Sequence, residues 1–259
     1  IVWLLIASGA ISVEVILLAL VGQYALATTL SYRILRGPQT PPPEEAQSFA
    51  GLLEEYWSYC KPLVWLSVAG FVYLFADRWM LQRFGGALQQ GYFQVASQFA
   101  QISLLATASI LNIFWKEIAE ASARSDHGRV ARLYRKVNRG FVMFSATVAG
   151  LLQPWSEQIV TILLGPAYAN AWPVLAIMLL YPVHQTMGQI GGTLFMARGH
   201  TRIHVIVNTA TLPVYALCSY LAMAPTSGVL VPGLGLGAIG MAGNMVAVNI
   251  VSVNIQAWV

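Results

Sequence analysis

Residues 63–81 read LVWLSVAGFVYLFADRWML, a run of apolar and aromatic side chains with its first charges only near the end. An α-helix rises about 1.5 Å per residue, so about 20 such residues cross the roughly 30 Å of hydrocarbon in a bilayer. Five more apolar runs approach or exceed that length: 92–115, 140–164, 174–197, 205–224 and 237–259. These lengths exceed what a buried core helix requires, and they predict membrane-spanning helices.

The overall composition agrees with this prediction. Of the 259 residues, 57% are hydrophobic and only 9% are charged. A soluble domain carries about 25% charged residues because water has to wet its surface. The chain is therefore predicted to be all-α, a polytopic transmembrane helix bundle.

The first 32 residues are predicted to contain one full span. The chain starts at Ile1 inside an apolar stretch with no preceding positive segment, so we do not expect a signal peptide. Residues 1–30 would form a helix about 45 Å long, too long for one unstrained span. We expect the tail of an earlier helix, a turn at residues 8–10 and a span over 11–32. That makes about seven complete spans, with a further part of the bundle upstream.

Positive charges define a topology for these spans. Lys and Arg concentrate at Arg33, Arg36 and Lys61, between residues 116 and 139, and at Arg198 and Arg202. The intervening turns near 85–90, 153–172 and 225–236 hold few or none. Cytoplasmic loops carry an excess of Lys and Arg, so the basic loops are predicted to be cytoplasmic.

Two of the basic loops are predicted to form helices that lie on the membrane surface. In the linker, prolines at 38 and 41–43 prevent a helix, and a new one can start near Glu44 and run to Cys60 with one apolar face. A second such helix can begin at Ser125 or Asp126. Its apolar side chains are expected to face lipid and its cations to face anionic headgroups: Val130, Leu133, Tyr134 and Val137 on the first face, Arg129, Arg132, Arg135 and Lys136 on the second. Topology anchoring and contact with a phosphate-bearing substrate both remain open for these loops.

Asp77 and Arg78 are charges within a predicted span. Such charges cost about 2.5–3.5 kcal/mol each on insertion scales, so those that are retained usually face a cavity or a partner. In one interpretation, Arg78 contacts an anion in a central cavity while Asp77 bonds a neighbouring helix. In the other, both lie near the outer interface and the Arg78 side chain reaches the headgroups.

Two spans also carry polar stripes. Gln98, Gln101 and Asn112 lie near one face of the span that starts at Tyr92, and Gln185 and Gln189 lie on one face of the span after Pro173. Such amides either bond neighbouring helices or line a wet pathway. In the second stripe, Gly188 and Gly192 form a small-xxx-small pair that permits close helix approach.

Other motifs point away from enzymes and metal sites. The glycine-rich stretch 233–243 imitates a dinucleotide loop, but no strand precedes it, and a flexible turn before a tightly packed helix is the favoured interpretation. The histidines at 127, 184, 200 and 204 are scattered, which gives a metal site no spacing support. Neither a nucleophile with its base nor a nucleic-acid-binding pattern can be identified.

Six short motifs follow one another along the chain in an order that resembles a known family. They are Tyr59-Cys60-Lys61-Pro62-Leu63, Phe75-Ala76-Asp77-Arg78-Trp79-Met80-Leu81, Gly91-Tyr92-Phe93-Gln94-Val95-Ala96, Ala171-Trp172-Pro173-Val174-Leu175, Ala197-Arg198-Gly199-His200-Thr201-Arg202, and Val231-Pro232 followed by Gly237-Ala238-Ile239-Gly240. This series resembles the polysaccharide-transport, O-antigen flippase-like branch of the multidrug/oligosaccharidyl-lipid/polysaccharide (MOP) flippase superfamily.

The resemblance implies a domain division and an activity. Residues 1–32 would end an N-terminal transmembrane lobe, residues 33–61 would be the cytoplasmic linker, and residues 62–259 would form a six-helix, MATE-like C-terminal lobe. The protein would be a multi-pass protein of the bacterial inner membrane that flips polyprenyl-diphosphate-linked oligosaccharide by alternating access. No cofactor is implied, and coupling to a proton or sodium gradient is left open.

The resemblance also implies partners and a substrate cavity. The partners would be the lipid-linked glycan, membrane lipids and other polysaccharide-assembly membrane proteins, with no nucleic acid. From their position and chemistry rather than from the resemblance, Arg78 is the candidate contact for the diphosphate, and the candidates for the polar lining are Asp77, Gln98, Gln101, Asn112, Gln185 and Gln189.

Two rival functions remain. A MATE-like drug or cation antiporter would require a carboxylate buried in the lobe, for which Asp77 and Glu14 are the nearest candidates; neither is expected to be deeply buried. A membrane glycan polymerase or ligase would require a sizeable outward loop for its second substrate. The predicted outward loops are short and almost uncharged, so a non-enzyme is expected.

Overall fold

A computed structural model describes residues 13–35 and 49–258, and over that range the protein is all-α with no strand. The helices are α1 (Val13–Leu35), α2 (Phe49–Ala123), α3 (His127–Leu152), α4 (Ser156–Leu164), α5 (Trp172–Met178), α6 (Tyr181–Ala197), α7 (Thr201–Met223) and α8 (Gly237–Trp258), with 3₁₀ turns at Gln153–Trp155 and Pro166–Ala171. The predicted all-α membrane bundle is confirmed. The expected turn at 8–10, the proline breaks at 38–43 and the helix start near Glu44 lie outside the described residues.

Helix α2 contains two of the predicted spans and is bent between them. Gly86 has φ 75° and ψ 178°, a conformation that a residue with a Cβ rarely adopts. Before the bend, the helix runs from Phe49 through Pro62 without a break. The prediction of a separate surface helix ending before Pro62 is therefore wrong. Membrane helices tolerate proline because neighbouring groups can satisfy the backbone carbonyl that it leaves free.

Helix α3 corrects a second predicted boundary. The Asp126 carboxylate caps it by accepting a hydrogen bond from the Arg129 backbone N–H at 2.9 Å, as predicted for one of the two candidate caps. The helix then continues to Leu152, so the surface helix expected at 125–137 and the start of the next span at 140 are one element. That span is in turn divided, because Pro154 lies in a 3₁₀ turn before α4 begins.

Some of the described helices are long and apolar enough to cross a membrane. Three stretches meet both conditions: Ala50–Ile102 in α2, Thr201–Met223 in α7 and Gly237–Trp258 in α8. The segments Pro166–Met178 and Tyr181–Ala197 meet them together as a pair bent by 44°, which gives up to four. The larger number of about seven crossings stays a prediction from the sequence.

The chain divides into two compact units between Glu54 and Glu55. The first unit contains α1, whose apolar side chains are mostly exposed. The second contains the rest of α2 and α3 to α8. The domain division at residues 32 and 61 stays a prediction.

Two apolar clusters hold the second unit together. The larger joins residues on both sides of the bend in α2 to α4, α5, α7 and α8, and includes Leu81, Tyr92, Val160, Leu175 and Met223. The smaller joins the end of α2 to α3 and α6. Helix α8 packs against α5, α6 and α7, so these helices set the position of the polar side chains described below.

The glycine-rich loop before α8 is a helix cap and not the flexible turn that was expected. Backbone N–H groups of Leu234, Gly235 and Leu236 donate to the carbonyl oxygens of Leu221, Ala224 and Ala222, at 2.8, 2.8 and 3.0 Å. These bonds satisfy the last carbonyls of α7, which a membrane helix cannot leave unpaired in hydrocarbon. A Cβ on Gly233 would lie 2.6 Å from two of those oxygens, so the loop needs glycine at this position.

Candidate functional site

A polar pocket of about 370 Å³ lies between α6, α7 and α8, with Leu111 of α2 at its wall. Two of its residues, Gln185 and Gln189, were predicted to line a cavity. The complete lining is Leu111, Gln185, Gly188, Gln189, Gly192, Thr193, Met196, His204, Asn208, Asn249, Ser252, Val253 and Gln256. These residues form the polar pocket.

Hydrogen bonds fix one wall of the polar pocket. Asn208 Nδ2 donates to the His204 backbone oxygen at 2.7 Å and lies 3.2 Å from His204 Nδ1. Asn208 Oδ1 accepts from Gln256 Nε2 at 3.1 Å. Because the amide of Asn208 bonds both its own helix and α8, the side chains of His204, Asn208 and Gln256 are oriented together.

Other polar atoms of the polar pocket have no partner within the described part of the chain. They are the buried atoms Gln189 Oε1, Gln256 Oε1 and Asn249 Nδ2. The Gln256 side chain is only 9% exposed. Leaving a buried donor or acceptor unmade costs about 1–3 kcal/mol, so such atoms indicate a place for a bound polar molecule.

Glycines of α6 allow the three helices to approach. A Cβ on Gly188 would lie 2.9 Å from Val253 Cγ2, and one on Gly192 would lie 3.0 Å from His204 Cε1. Close helix approach at this small-residue pair is therefore confirmed. A Cβ on Gly191 would meet Gln256 Oε1 at an ordinary 3.7 Å.

The polar pocket carries no formal charge apart from what His204 can acquire, since its described lining includes no Asp, Glu, Lys or Arg. Among the described residues, no three His, Cys, Asp or Glu side chains group together as ligands for a metal ion. The polar pocket therefore offers amide, hydroxyl and imidazole hydrogen bonds in place of ionic contacts.

A second polar group surrounds Asp77, which is 2% exposed. Asp77 Oδ2 accepts a hydrogen bond from the Tyr73 hydroxyl, one turn earlier on α2. The Tyr73 ring packs edge-on against Tyr215 of α7, with centroids 4.7 Å apart. The Ser219 hydroxyl lies beside the carboxylate and accepts from Asn244 Nδ2 of α8 at 2.8 Å.

This arrangement corrects the expectation that Asp77 is not deeply buried. Its burial is possible because Tyr73 supplies a hydroxyl donor and α7 presents Ser219. Asp77 Oδ1 is buried without a hydrogen bond of normal geometry within the described residues. A buried carboxylate whose second oxygen lacks a well-formed hydrogen bond can take up a proton or a cation.

Arg78, Gln98 and Gln101, which were also predicted to line a cavity, are not among the residues of the polar pocket. Arg78 is exposed on α2 next to buried Asp77, and Gln98 and Gln101 are exposed further along the same helix. Asn112 lies in α2, but its side chain is outside the described part of the chain. Their roles in substrate binding stay predictions.

The basic face of α3 differs in part from its prediction. Arg132, Arg135, Lys136 and Arg139 surround an open cavity of about 580 Å³, next to an apolar groove in which Lys136 also takes part. Arg129 instead pairs with Glu117 of α2 at 2.5 Å. The apolar side chains expected to face lipid pack inward: Val130 is 7% exposed, and Leu133, Tyr134 and Val137 join the cluster with α2 and α6.

Sequence reasoning missed more than half of the residues of the polar pocket. His204 and Asn208 are four residues apart on α7, and Asn249, Ser252 and Gln256 recur at intervals of three and four on α8. Residues with that spacing share one helix face. The spacing of polar residues that revealed the stripe on α6 would also have revealed the polar faces of α7 and α8.

Comparison with known proteins agrees on a fold. No protein-family profile and no curated protein matches the sequence. Three solved structures match over most of the chain. An outward-facing multidrug-resistance MATE family transporter of the MOP superfamily has a TM-score of 0.73 at 13% identity, over 92% of this chain and 53% of its own. A MATE mutant has a TM-score of 0.70 at 13% identity, over 82% of this chain and 46% of its own. A MOP superfamily transporter from Pyrococcus furiosus has a TM-score of 0.69 at 14% identity, over 82% of this chain and 47% of its own.

The chain therefore has the fold of a multi-pass, α-helical membrane transporter. More particularly, this fold is the one shared by MATE transporters of the MOP superfamily. The chain spans about half the length of the solved transporters that it matches.

Proposed function

We propose that the chain is part of a transporter that moves a lipid-linked oligosaccharide between membrane leaflets, with no chemical step of its own. The observation that carries a transport function is the fold similarity, which covers 92% of the chain at a TM-score of 0.73. The ordered motifs from Tyr59 to Gly240 support the polysaccharide-transport branch, in the bacterial inner membrane beside other polysaccharide-assembly proteins. The cargo would be a polyprenyl-diphosphate-linked glycan.

Arg78 is the residue that we assign to the diphosphate. It is exposed, whereas Asp77 beside it is buried. The two side chains therefore point in different directions, and the Arg78 guanidinium is not neutralised by Asp77. A guanidinium binds phosphate oxygens with two parallel hydrogen bonds, while the polyprenyl chain can stay in the bilayer.

Asp77 is the residue that we assign to energy coupling. Binding of a proton or sodium ion at this carboxylate would neutralise a buried charge, and this supports coupling of transport to an ion gradient. The same observation favours a second candidate, a MATE-like drug or cation antiporter. The two functions share the fold and the carboxylate and differ in the cargo.

Leaflet transfer in proteoliposomes tests the first function. The full-length protein is reconstituted, and transfer of a fluorescent lipid-linked diphosphate sugar is compared for the wild type, Arg78→Ala and Arg83→Ala, the last being an exposed arginine five residues further along α2. Loss of a charge-assisted contact of about 1.5–3 kcal/mol predicts a roughly 10- to 100-fold lower rate for Arg78→Ala alone.

Two other results would change the conclusion. Unchanged transfer by Arg78→Ala would remove this residue from the diphosphate site. No transfer by the wild type with several native lipid-linked donors, together with gradient-driven efflux of ethidium that Asp77→Asn abolishes, would replace the flippase by the antiporter.

A further inference from the structure

We propose that the polar pocket between α6, α7 and α8 binds one neutral sugar unit of the transported glycan. As a physiological role, this rests on the proposed transport of a lipid-linked oligosaccharide. The polar pocket is a different place from the exposed Arg78, so the sugar and the phosphate would be held by different groups.

The unpaired atoms point to hydroxyl groups. Gln189 Oε1 and Gln256 Oε1 are buried acceptors without a partner in the described part of the chain, and Asn249 Nδ2 is a buried donor in the same condition. A hydroxyl group both donates and accepts, whereas a cation requires acceptors only and an anion requires donors only. Turning over the Gln189 amide replaces one acceptor by a donor and keeps the set mixed, while the bond to Asn208 Oδ1 holds the Gln256 amide in its orientation.

The charge of the lining excludes the ionic part of the cargo. With no Asp, Glu, Lys or Arg among the residues described around it, the polar pocket offers no compensation for a buried diphosphate or a drug cation. Burying a charge without a partner is far more costly than burying a hydrogen-bonded neutral group. The ligand class that remains is neutral and polyhydroxylated.

The size agrees with a monosaccharide unit. The volume of about 370 Å³ is within the range of roughly 300–1,000 Å³ that is usual for small-molecule pockets. A single water has a share of only about 30 Å³ in the liquid, and a bare monovalent ion requires no more. The cavity therefore exceeds the requirement of one water or one ion.

The wall facing the ligand is already ordered. The Gln256 amide is held by Asn208 Oδ1, and Asn208 is held by the His204 backbone oxygen. Gln256 Oε1 is thereby presented without a further loss of side-chain freedom on binding, which favours affinity.

The polar pocket also lies towards the membrane side on which such cargo is made. Gly192 is five residues before the end of α6, and His204 is three residues after the start of α7, so both lie within about 8 Å of these helix ends along the axis. The connecting loop carries Arg198 and Arg202, which the positive-inside rule assigns to the cytoplasm. A sugar headgroup in the inner leaflet would meet the polar pocket before transport.

Thermal unfolding with monosaccharide probes tests the site without transport. The full-length protein in nanodiscs is heated with and without about 100 mM glucose, galactose, rhamnose or N-acetylglucosamine. Binding to the native state should raise the Tm by about 3 °C for at least one probe. The rise should be lost in Gln256→Leu and Gln189→Leu. It should persist in Asn254→Leu, a control on α8 whose exposed amide bonds its own helix at Ile250 O.

Several outcomes would overturn the site. Sugars also stabilise proteins because they are excluded from the protein surface. An equal rise in Tm in the wild type and all three variants would therefore show surface exclusion and no binding at the polar pocket. A rise on exchange of choline chloride for sodium chloride, lost in Gln256→Leu, would make the polar pocket a cation site. If no probe raised the Tm, the polar pocket would not be a binding site for these sugars.

A second measurement keeps the test valid if the leucine variants do not fold. A diazirine derivative of N-acetylglucosamine is photolysed with the wild-type protein, and the adducts are mapped by mass spectrometry. Adducts within residues 185–208 or 249–256, reduced at least fivefold by an excess of the unlabelled sugar, are expected. Adducts confined to other helices would overturn the site.

Failure of the site and failure of the proposed function give different results. Sugar binding by a protein that transfers no lipid-linked donor would keep the site and overturn the function. Transfer that is equally fast in the wild type and in Gln256→Leu, without sugar binding in either, would keep the function and overturn the site.

Discussion

Gln256 of α8 donates its Nε2 hydrogen to Oδ1 of Asn208 of α7 at 3.1 Å, across 48 positions of the sequence. The bond joins two helices that also pack against each other along much of their length. It occupies the donor of Gln256 and leaves its acceptor free. A change at Asn208 should therefore affect both helix packing and the orientation of the free oxygen.

Asn208→Leu should destabilise the protein because it removes the acceptor and leaves Gln256 Nε2 buried without a partner. The expected loss is about 1–3 kcal/mol. Asn254→Leu on the solvent- or lipid-exposed side of α8 is the matched control and should change stability by less than about 0.5 kcal/mol. Denaturant unfolding in a fixed detergent measures both, and equal losses would contradict the role given to the bond.

Gly188→Ala should destabilise the protein, whereas Gly191→Ala should not. The added Cβ meets Val253 Cγ2 at 2.9 Å in the first variant and Gln256 Oε1 at 3.7 Å in the second. Valine has few rotamers with which to move aside, so an overpacking cost of about 1–3 kcal/mol is expected for Gly188→Ala. For Gly191→Ala, the gain in helix propensity should make the change neutral or slightly favourable. Tm values in nanodiscs report the difference, and the reverse order would refute the packing of α6 on α8.

Gly233→Ala should be the most destabilising of these glycine changes. Its Cβ would lie 2.6 Å from the carbonyl oxygens of Leu221 and Ala224, which are backbone atoms and cannot rotate away. We expect a loss of about 3 kcal/mol or a failure to accumulate in the membrane. Gly243→Ala is the control, since nothing lies within 4 Å of its added Cβ. Expression level and Tm are measured for both, and a normal Gly233→Ala protein would contradict the cap on α7.

Asp77→Asn should uncouple transport from its driving gradient while leaving a folded protein. The amide retains an oxygen that can accept from the Tyr73 hydroxyl, but it cannot change its charge on binding a proton or sodium ion. A roughly tenfold or larger loss of gradient-stimulated transfer is expected, with the Tm little changed. Glu14→Gln, a change at an exposed carboxylate on α1, should leave the stimulation intact. Full stimulation in Asp77→Asn would exclude this residue from coupling.

Single cysteines should label from opposite sides of the membrane when placed at Ser58 and Ala87. Both positions are exposed, and α2 runs without a break between Phe49 and its bend at Gly86. That segment is about 55 Å long at 1.5 Å per residue, more than the roughly 30 Å of hydrocarbon, so its two ends can reach both surfaces. An impermeant maleimide is applied to intact and opened cells after Cys60→Ser and Cys218→Ser. Labelling of both sites from one side would refute the predicted orientation.

The sequence was sufficient to predict the helices but not where one ends and the next begins. Apolar length identified α7 and α8, because hydrocarbon thickness limits both. Pro62 and the amphipathic stretch after Asp126 suggested breaks that α2 and α3 do not have. A proline removes one helical hydrogen bond and a change of hydrophobic face changes what the helix contacts, but neither necessarily ends the helix.

Only part of the candidate site could be predicted, because the sequence shows spacing along one helix but not the contacts between helices. Gln185 and Gln189 share a face of one helix, which spacing alone reveals. For Asp77, a bond to a neighbouring helix and a position near the outer interface both remained open, because the distance along one helix does not show which residues lie opposite. Its burial depends on Ser219, more than a hundred positions later, and such pairings emerge only from helix packing.

The hydrogen bond from the Ala238 backbone N–H to Gln89 Oε1, at 3.0 Å, attaches the first turn of α8 to α2 three residues beyond the bend at Gly86. Helix α8 continues for 22 residues, about 33 Å, and ends beyond Gln256. A change of the bend angle would therefore be transmitted to the first turn of α8 and, along this helix, to the Gln256 amide near its other end. The hydrogen bond between Gln89 and Ala238 thus connects a change of conformation at Gly86 to the polar pocket near the other end of α8.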